Sequence, residues 1–321
     1  MKQKNNSLPI KTLIAILADH LHVPANQIRL EPCPTGKFNT TYFVAGIDRP
    51  LVLRIAPPDD PSQVLFYEYR MMRQEPGLHA EIQAHTDVPI PTIIAHDSSH
   101  KKIDRDYLIM EKMPGIPISD HPGLSRRHIN NILHQVGRAL KQVHAIQGRQ
   151  YGYVGEHKPM ESQKDWTSAF VIMWNKLLDD IEGCGGYSAD QATYMRHLLD
   201  KHIKLFDRKV PASLLHMDVW AQNILADNEG NMTCLLDWDR ALWGDPEIEF
   251  AVLDYCGISE PPFWEGYGSN RDTSSEAEVR QLFYLLYELQ KYIFIRQVRY
   301  QSPSRAAQYR RQSLELARQL G

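Results

Sequence analysis

The chain has 321 residues and a formal net charge of -3, with 36 basic and 39 acidic side chains. This length is enough for two lobes with separate cores, and the balanced charge gives no general attraction to nucleic acid or to an anionic membrane. The four cysteines are widely spaced without a Cys-x-x-Cys pair, so we expect neither a disulfide framework nor a zinc site. No apolar run approaches the roughly 20 residues of a membrane span, and no cleavage site follows the basic N-terminus, so a cytoplasmic protein is expected.

The first part of the sequence predicts one amphipathic helix followed by a small sheet. The helix starts after Ser7-Leu8-Pro9, and strands are predicted at 28–32, 40–47 and 51–56. The turn between the first two strands contains Gly36 and Asn39. A strand-turn-strand with Gly at the turn can cover nucleotide phosphates, because its backbone N–H groups approach them closely. A plain hairpin is the alternative.

The third strand contains a single charged residue, Arg54, among apolar neighbours. Such a charge needs a partner or a ligand. In kinases a cation at this position pairs with the nucleotide phosphates and with a Glu on the next helix. Residues 63–72 predict that helix, and Glu68 is its central acid, so we expect an Arg54–Glu68 ion pair. The alternative is an exposed Arg and a solvated Glu.

A further strand is predicted at 107–111, and the Pro-Gly pair that follows indicates a hinge between lobes. If the chain is a kinase, the backbone from Glu111 to Met113 is placed to hydrogen-bond an adenine edge. The predicted domains are a nucleotide-binding lobe at 1–111 and a catalytic, acceptor-binding lobe at 112–321. Beyond the hinge the apolar residues keep helical spacing, and we interpret these stripes as core.

The most informative segment contains a His-x-Asp-x-x-x-x-Asn pattern formed by His216, Asp218 and Asn223, followed by Asp237. This order is typical of kinase catalytic loops. Short apolar runs on either side, separated by residues 227–231, predict a β-hairpin that holds the polar groups at its ends. A turn followed by a solvated strand end is the alternative, and the ordered set of four residues favours the kinase interpretation.

The chemistry of phosphoryl transfer explains these residue types. A hydroxyl acceptor must lose its proton to a positioned base, which we assign to Asp218. Mg²⁺ must be held against the phosphates by oxygen ligands, which we assign to Asn223 and Asp237. The predicted reactants are therefore a nucleotide, ATP or GTP, with Mg²⁺ and a molecule that carries a hydroxyl group.

The segment resembles the aminoglycoside phosphotransferase and choline kinase-like superfamily, small-molecule kinases built on the protein-kinase fold. Members typically carry His-Gly-Asp-Leu-x-x-x-Asn-Ile-Leu, then Ile-Asp-Trp-Glu/Asp-x-Ala-x-x-Gly-Asp-Pro-x-x-Asp-Leu-Ala, and residues 216–225 and 236–251 match this order. Weaker matches lie at the Arg54 strand, the hinge from Met110 and the helix around His144. The resemblance implies an α+β fold, with a small antiparallel β-sheet in the N-lobe and a mainly helical C-lobe.

The resemblance also implies that His216 braces the catalytic loop. The chain departs from the family pattern in three places: Met217 replaces the usual Gly, Glu249 replaces the usual Asp, and Gly36 has no second Gly beside it. We expect the first two changes to alter packing more than chemistry. The third leaves the choice between ATP and GTP open.

The acceptor is not named by the resemblance. An acidic pocket would suit an aminoglycoside, and aromatic walls would suit choline or another amino alcohol through cation–π contact. Residues 261–268 are a candidate acceptor-side loop, with a purely structural turn as the alternative. A protein kinase is disfavoured because Gly-x-Gly-x-x-Gly and Ala-Pro-Glu are absent. A non-catalytic nucleotide-binding regulatory module is the remaining alternative.

Overall fold

A computed structural model describes residues 8–34 and 38–321 of the chain. Its residue contacts divide the chain into two compact units. The first comprises Met1–Asp59 with Ile90–Met113, and the second comprises Asp60–Pro89 with Pro114–Gly321. The first unit is a helix and a sheet, whereas the second is mostly helical, so the fold class is α+β. The lobe boundaries at 1–111 and 112–321 stay a prediction.

The first unit contains helix α1 (Ile10–Leu21) and a five-stranded antiparallel sheet. The strand order is β1-β2-β3-β5-β4, with bounds β1 Arg29–Pro32, β2 Thr40–Ala45, β3 Leu51–Ile55, β4 Ile93–Asp97 and β5 Tyr107–Glu111. Leu13 and Leu17 of the helix pack with Leu53 and Ile109 of the sheet in one hydrophobic core. The predicted opening helix and strands of this unit are therefore confirmed.

The second unit is built mainly from helices. Their bounds are α2 Glu75–His85, α3 Arg126–Ala145, α4 Trp166–Gly183, α5 Ala189–His202, α6 Pro246–Tyr255, α7 Pro261–Tyr267, α8 Ser275–Phe294 and α9 Pro303–Leu320. A π-helical turn at Ile295–Arg299 follows α8. Aromatic side chains fill the core, with Phe170 stacked on Phe206 and on Trp166. The apolar stripe predicted on α4 is thus core.

The helix predicted at 63–72 does not form. Short 3₁₀ turns at Pro61–Gln63 and Met71–Gln74 flank a series of turns, and Arg70 has a left-handed backbone with φ of 58°. Two carboxylates accept the backbone N–H groups that begin this segment: Glu68 bonds Leu65 at 2.9 Å, and Asp180 bonds Phe66 at 2.7 Å. These bonds offer the backbone an alternative to helix. The next helix is α2, whose first residue, Glu75, is fully buried.

The second unit contains two small sheets, and one of them includes the predicted hairpin. Strands β6 (Ile116–Pro117), β8 (Ile224–Ala226) and β9 (Met232–Leu235) form one sheet, and β7 (Ser213–Leu215) pairs with β10 (Leu242–Gly244) in another. The hairpin β8–β9 is fastened to α3. Asn131 donates to the Gly230 carbonyl at 2.8 Å, and Gln135 accepts the Met232 N–H at 3.1 Å. The predicted hairpin is confirmed.

Residues 261–268, the candidate acceptor loop, instead form α7 and its C-cap, packed tightly against α3. Phe263 is fully buried, and Tyr267 is nearly so. Two glycines make the close approach of the helices feasible, since a Cβ on Gly137 would lie 2.1 Å from the Phe263 carbonyl oxygen. A Cβ on Gly266 would lie 1.9 Å from the His134 carbonyl oxygen. The segment is thus a packed helix and neither the loop nor the turn that was expected, and its acceptor-side role stays a prediction.

All four cysteines are free thiols. Within the described ranges, no helix is both long and apolar enough to cross a membrane.

Candidate active site

The loop from His216 to Asn223 joins β7 to β8 and carries the predicted catalytic residues. Its bend is made at Met217, which has a φ of 65° although it is not glycine. This left-handed conformation is one that glycine adopts freely and other residues adopt at a cost of roughly 1–2 kcal/mol. The side chain of Met217 is fully buried in the core, so packing holds the residue in place.

His216 braces the loop from inside. Its Nε2 lies 2.8 Å from the Leu236 carbonyl oxygen, and the Asp218 N–H donates to its Nδ1 at 3.2 Å. Because Nδ1 accepts a hydrogen bond, the proton of a neutral ring is on Nε2, from which it is donated to Leu236. The ring lies 4.2 Å from that of Trp238, and both residues are fully buried. His216 thus ties the catalytic loop to the end of β9.

Asp218 and Asn223 are joined across the loop. The Asn223 amide nitrogen donates to the Asp218 carboxylate at 3.0 Å and to the Asp218 backbone carbonyl at 2.9 Å. Both partners are acceptors, so this end of the amide must be the NH₂ group, and the amide oxygen is directed away from Asp218. The structure therefore brings these two predicted residues together, with the Asn223 amide oxygen on the side away from Asp218.

Asp237 lies two residues after the end of β9 and has a left-handed backbone with φ of 71°. The Leu236 N–H bonds the Asn223 carbonyl at 2.8 Å, so the hairpin register places Asp237 next to the Asn223 end of β8. Among residues 8–34 and 38–321, no three or more His, Cys, Asp or Glu side chains are grouped to hold a metal ion. A pair of oxygen ligands is nevertheless sufficient where substrate phosphates complete the coordination of Mg²⁺.

Glu249 on α6 holds the same loop by its backbone. Its carboxylate accepts the Met217 N–H at 2.6 Å and the His216 N–H at 3.2 Å, and His144 of α3 approaches it at 2.7 Å. Burial alone would raise the pKa of Glu249, but the His144 hydrogen bond and nearby positive charge lower it. Tyr267 bonds the other nitrogen of His144 at 2.8 Å. In the sequence, Glu249 and His144 were recognised only as positions of the family motifs. Their contact with each other and with the loop is visible only in the folded structure.

A buried ion network lies on the other side of the loop. Arg240 donates to the Met217 carbonyl at 2.7 Å and to Glu288 of α8 at 2.8 Å. Lys291, one turn further along α8, pairs with the second oxygen of Glu288 at 2.5 Å. All three charged side chains are at most 6% exposed. Glu288 and Lys291 belong to no motif, which is why this network was not predicted.

The charges around Asp218 act in opposite directions. Burial raises its pKa, Lys291 and Arg240 oppose that rise, and Asp237 adds to it. The net effect is a pKa raised above the ordinary value of an aspartate. A carboxylate whose proton affinity is increased in this way is a better proton acceptor than a solvated one, provided that it remains ionised.

The residues predicted to bind nucleotide are distributed over both units. Asn39 and Arg54 are buried in the first unit, where Arg54 lies on β3. Glu111 ends β5, and Met113 is the last residue of the same unit. Gly36 lies outside the described residues. Glu68 belongs to the second unit, where it pairs with Arg299 at 2.5 Å. The Arg54–Glu68 pair stays a prediction.

Comparison with known proteins shows which family the chain belongs to. A family model described as "Phosphotransferase enzyme family" matches residues 29–280, which is most of the chain. The chain belongs to this phosphotransferase family. The matched region includes the loop from His216 to Asn223, the hairpin with Asp237, and Glu249.

Two curated proteins are similar to this chain in sequence. Acyl-CoA dehydrogenase family member 10 of Mus musculus is 24% identical over 270 residues, which cover 80% of this chain and 23% of that protein. "Probable ketoamine kinase YniA" of Escherichia coli is 25% identical over 199 residues, which cover 58% of this chain and 63% of that protein. The chain thus spans less than two thirds of either relative's length.

A solved structure of a phosphotransferase shares the fold. It is a thermostable mutant of the aminoglycoside phosphotransferase APH(4)-Ia in a ternary complex with AMP-PNP and hygromycin B. It has a TM-score of 0.69 and 17% identity, and the match covers 96% of this chain and 98% of that chain. The predicted fold class, α+β and protein-kinase-like, is confirmed.

Proposed function

We propose that the chain transfers the γ-phosphoryl group of ATP or GTP to a hydroxyl group of a small molecule. The observation that carries this proposal is the joining of Asp218 to Asn223 on one braced loop, with Asp237 at the adjacent hairpin end. These groups match the parts needed for phosphoryl transfer, namely a base for the hydroxyl proton and oxygen ligands for Mg²⁺.

Asp218 is the proposed base. The acceptor oxygen forms a bond to the γ-phosphorus, the bond from that phosphorus to the bridging oxygen breaks, and the nucleoside diphosphate leaves. The hydroxyl proton passes to the Asp218 carboxylate. Asn223 fixes one oxygen of this carboxylate at 3.0 Å, and the Asp218 N–H is held by His216 at 3.2 Å. A base positioned in this manner contributes typically 10²–10⁴-fold to the rate.

Asn223 and Asp237 are the proposed ligands of Mg²⁺. They offer an amide oxygen and a carboxylate, which are donors that this cation prefers, and the Asn223 oxygen is directed away from Asp218 by the hydrogen bonds of its NH₂ group. When bound, Mg²⁺ neutralises charge on the phosphates. In the first unit, Gly36, Asn39 and the backbone from Glu111 to Met113 are proposed to contact the nucleotide. Arg54 with Glu68 completes that proposal.

The proposed acceptor is a small molecule with a hydroxyl group. Hygromycin B is the ligand of the solved relative, and ketoamines give the curated relative its name. For this chain they are the first compounds to test, together with choline and other amino alcohols. A cytoplasmic location, where ATP and GTP are available, is part of the proposal.

The proposal is tested with purified protein, Mg²⁺ and γ-labelled ATP or GTP over hygromycin B, ketoamines, amino alcohols, sugars and hydroxy acids. Transfer to any acceptor is expected, with Asp218→Asn reducing kcat by a factor of about 10² or more while leaving nucleotide affinity nearly unchanged. Asp237→Ala is expected to weaken Mg²⁺-dependent nucleotide binding. Asp200→Asn, at an exposed site on α5, is the matched control.

Two results would contradict the proposal. Full transfer by Asp218→Asn would show that Asp218 is not the base. Nucleotide binding without transfer to any compound would favour a non-catalytic regulatory module.

A further inference from the structure

The buried network of Arg240 with Glu288 and Lys291 of α8 carries a surplus of positive charge. Arg240 and Lys291 are two cations that share the single carboxylate of Glu288, one on each oxygen. All three are nearly excluded from water, so their charges are screened less than those of surface groups. The network therefore presents a net charge of +1 beside Asp218.

An aromatic surface continues from this network. It consists of Tyr255 at the end of α6, Tyr292 on α8 and Tyr309 on α9, and we call it the tyrosine surface. The Tyr292 and Tyr309 rings stack with centroids 5.0 Å apart, and Tyr255 lies 5.8 Å from Tyr292. Tyr255 is 39% exposed and the other two rings are partly exposed. Three partly exposed rings in contact form an apolar face of the size of a small organic molecule.

A short series of contacts connects the tyrosine surface to the reacting position. Arg240 bonds the carbonyl of Met217, the residue before Asp218, and reaches Glu288 on α8. Lys291 is the next charged group along that face, with its Nζ 4.9 Å from the centre of the adjacent Tyr292 ring. The electrostatics agree, because burial raises the pKa of Asp218 and Lys291 is the largest influence that opposes the rise.

Four acidic side chains that could attract a polycation are buried, paired or placed at an outer cavity. Asp239 and Asp245 are buried, and Asp245 pairs with Arg208 at 3.0 Å. Glu260 pairs with Arg126, and Glu265 lines an outer cavity between α3 and α7. These four acids therefore do not form an acidic pocket at the loop from His216 to Asn223.

From this distribution of charge and aromatic surface, and resting on the proposed function, we propose that the acceptor is a hydroxylated anion with an apolar face. Its anionic group is held by Lys291, its apolar face lies on the tyrosine surface, and its hydroxyl group meets Asp218. Polycationic aminoglycosides are expected to be poor acceptors, because an ammonium group would meet Lys291 beside the tyrosine surface.

The test uses three acceptors that share an aryl group and a hydroxyl group and differ in charge. They are 3-phenyllactate, its neutral amide, and 1-amino-3-phenylpropan-2-ol, with hygromycin B as the polycation. The expected order of kcat/KM with wild-type protein is anion, amide, amine, with at least about tenfold between the first and the last. Hygromycin B is expected to accept no phosphate.

Two variants of one residue assign the preference. Lys291→Met is expected to bring the anion-to-amine ratio within about threefold, whereas Lys291→Arg keeps the charge and should keep the ratio. Tyr309→Ala is expected to raise KM for all three aryl acceptors alike. The order of kcat/KM for the three acceptors is measured with wild-type protein. It therefore tests the anionic acceptor even if Lys291→Met fails to fold.

The outcomes separate this inference from the proposed function. Transfer to hygromycin B, a preference for the amine, or an unchanged ratio in Lys291→Met would overturn the anionic acceptor and leave the kinase intact. The same holds if none of the four test compounds is phosphorylated and every compound of the wider panel that is phosphorylated lacks an anionic group: the anionic acceptor is then overturned. Absence of transfer to every compound from both ATP and GTP would overturn the kinase and this inference together.

Discussion

The Met217 N–H donates to the Glu249 carboxylate across 2.6 Å, and this bond joins two residues at which the chain departs from its family motif. Glycine, usual at the first position, would adopt the left-handed backbone at no steric cost. Met217 adopts it with φ of 65° and fills the core with its side chain. The two departures are therefore physically coupled, which the sequence alone did not indicate.

This coupling predicts a non-additive double mutant. Met217→Gly relieves backbone strain but leaves a cavity, and we expect a loss of about 2–4 kcal/mol in the free energy of unfolding. Glu249→Asp shortens the acid and lengthens its bonds to the loop. The variant with both changes should lose less than the sum of the single losses, with an interaction energy of about 0.5–3 kcal/mol. Urea unfolding of the four proteins measures this, and strict additivity would contradict it.

The chain of contacts from Tyr267 through His144 to Glu249 predicts a graded pair of effects. Tyr267→Phe removes the hydroxyl group from His144 and should cost about 1–2 kcal/mol of stability, with kcat nearly unchanged. His144→Phe removes the partner of a buried carboxylate and should cost about 3–5 kcal/mol. It should also lower kcat, because Glu249 holds the catalytic loop. Equal losses in the two variants would argue against this order.

The hairpin and the failed helix show how far the sequence could predict this fold. The hairpin at Asp237 was predicted because its apolar runs and its turn residues are local signals. The helix at 63–72 was wrong because carboxylates of Glu68 and Asp180 hold the backbone there, and Asp180 is more than 100 residues away. Lys291 was missed for the same reason, since only tertiary packing brings α8 to the loop.

Burial of His157 predicts a loss of stability in acid. Burial lowers its pKa to about 4, while the unfolded chain titrates near 6.5, and its Nε2 lies 3.2 Å from the Tyr67 carbonyl oxygen. Below pH 6.5 the unfolded state binds a proton that the folded state does not. Stability should therefore fall as the pH drops from about 6.5 to 4, by roughly 3 kcal/mol at most.

The measurement is the melting temperature as a function of pH for His157→Gln, which keeps a donor for Tyr67 and cannot titrate. This variant should show a shallower loss between pH 6.5 and 4 than the wild-type protein. His197→Gln, at an exposed position of α5, is the control and should follow the wild-type curve. Parallel curves for all three proteins would rule out His157 as the source of the acid sensitivity.

The contact between α3 and α7 predicts a difference between glycines of the same unit. A Cβ at Gly266 would lie 1.9 Å from the His134 carbonyl oxygen, and one at Gly137 would lie 2.1 Å from that of Phe263. Both contacts involve backbone, so the helices must separate, and we expect Gly137→Ala and Gly266→Ala each to cost about 2 kcal/mol or more. A Cβ added at Gly77 of α2 would have no atom within 4 Å, so Gly77→Ala should instead stabilise by about 0.5–1 kcal/mol. Because α3 carries both Gly137 and His144, separation of the two helices should also move His144 relative to Glu249 and lower kcat. Unchanged kcat at lowered stability would show that α3 does not position the loop through His144.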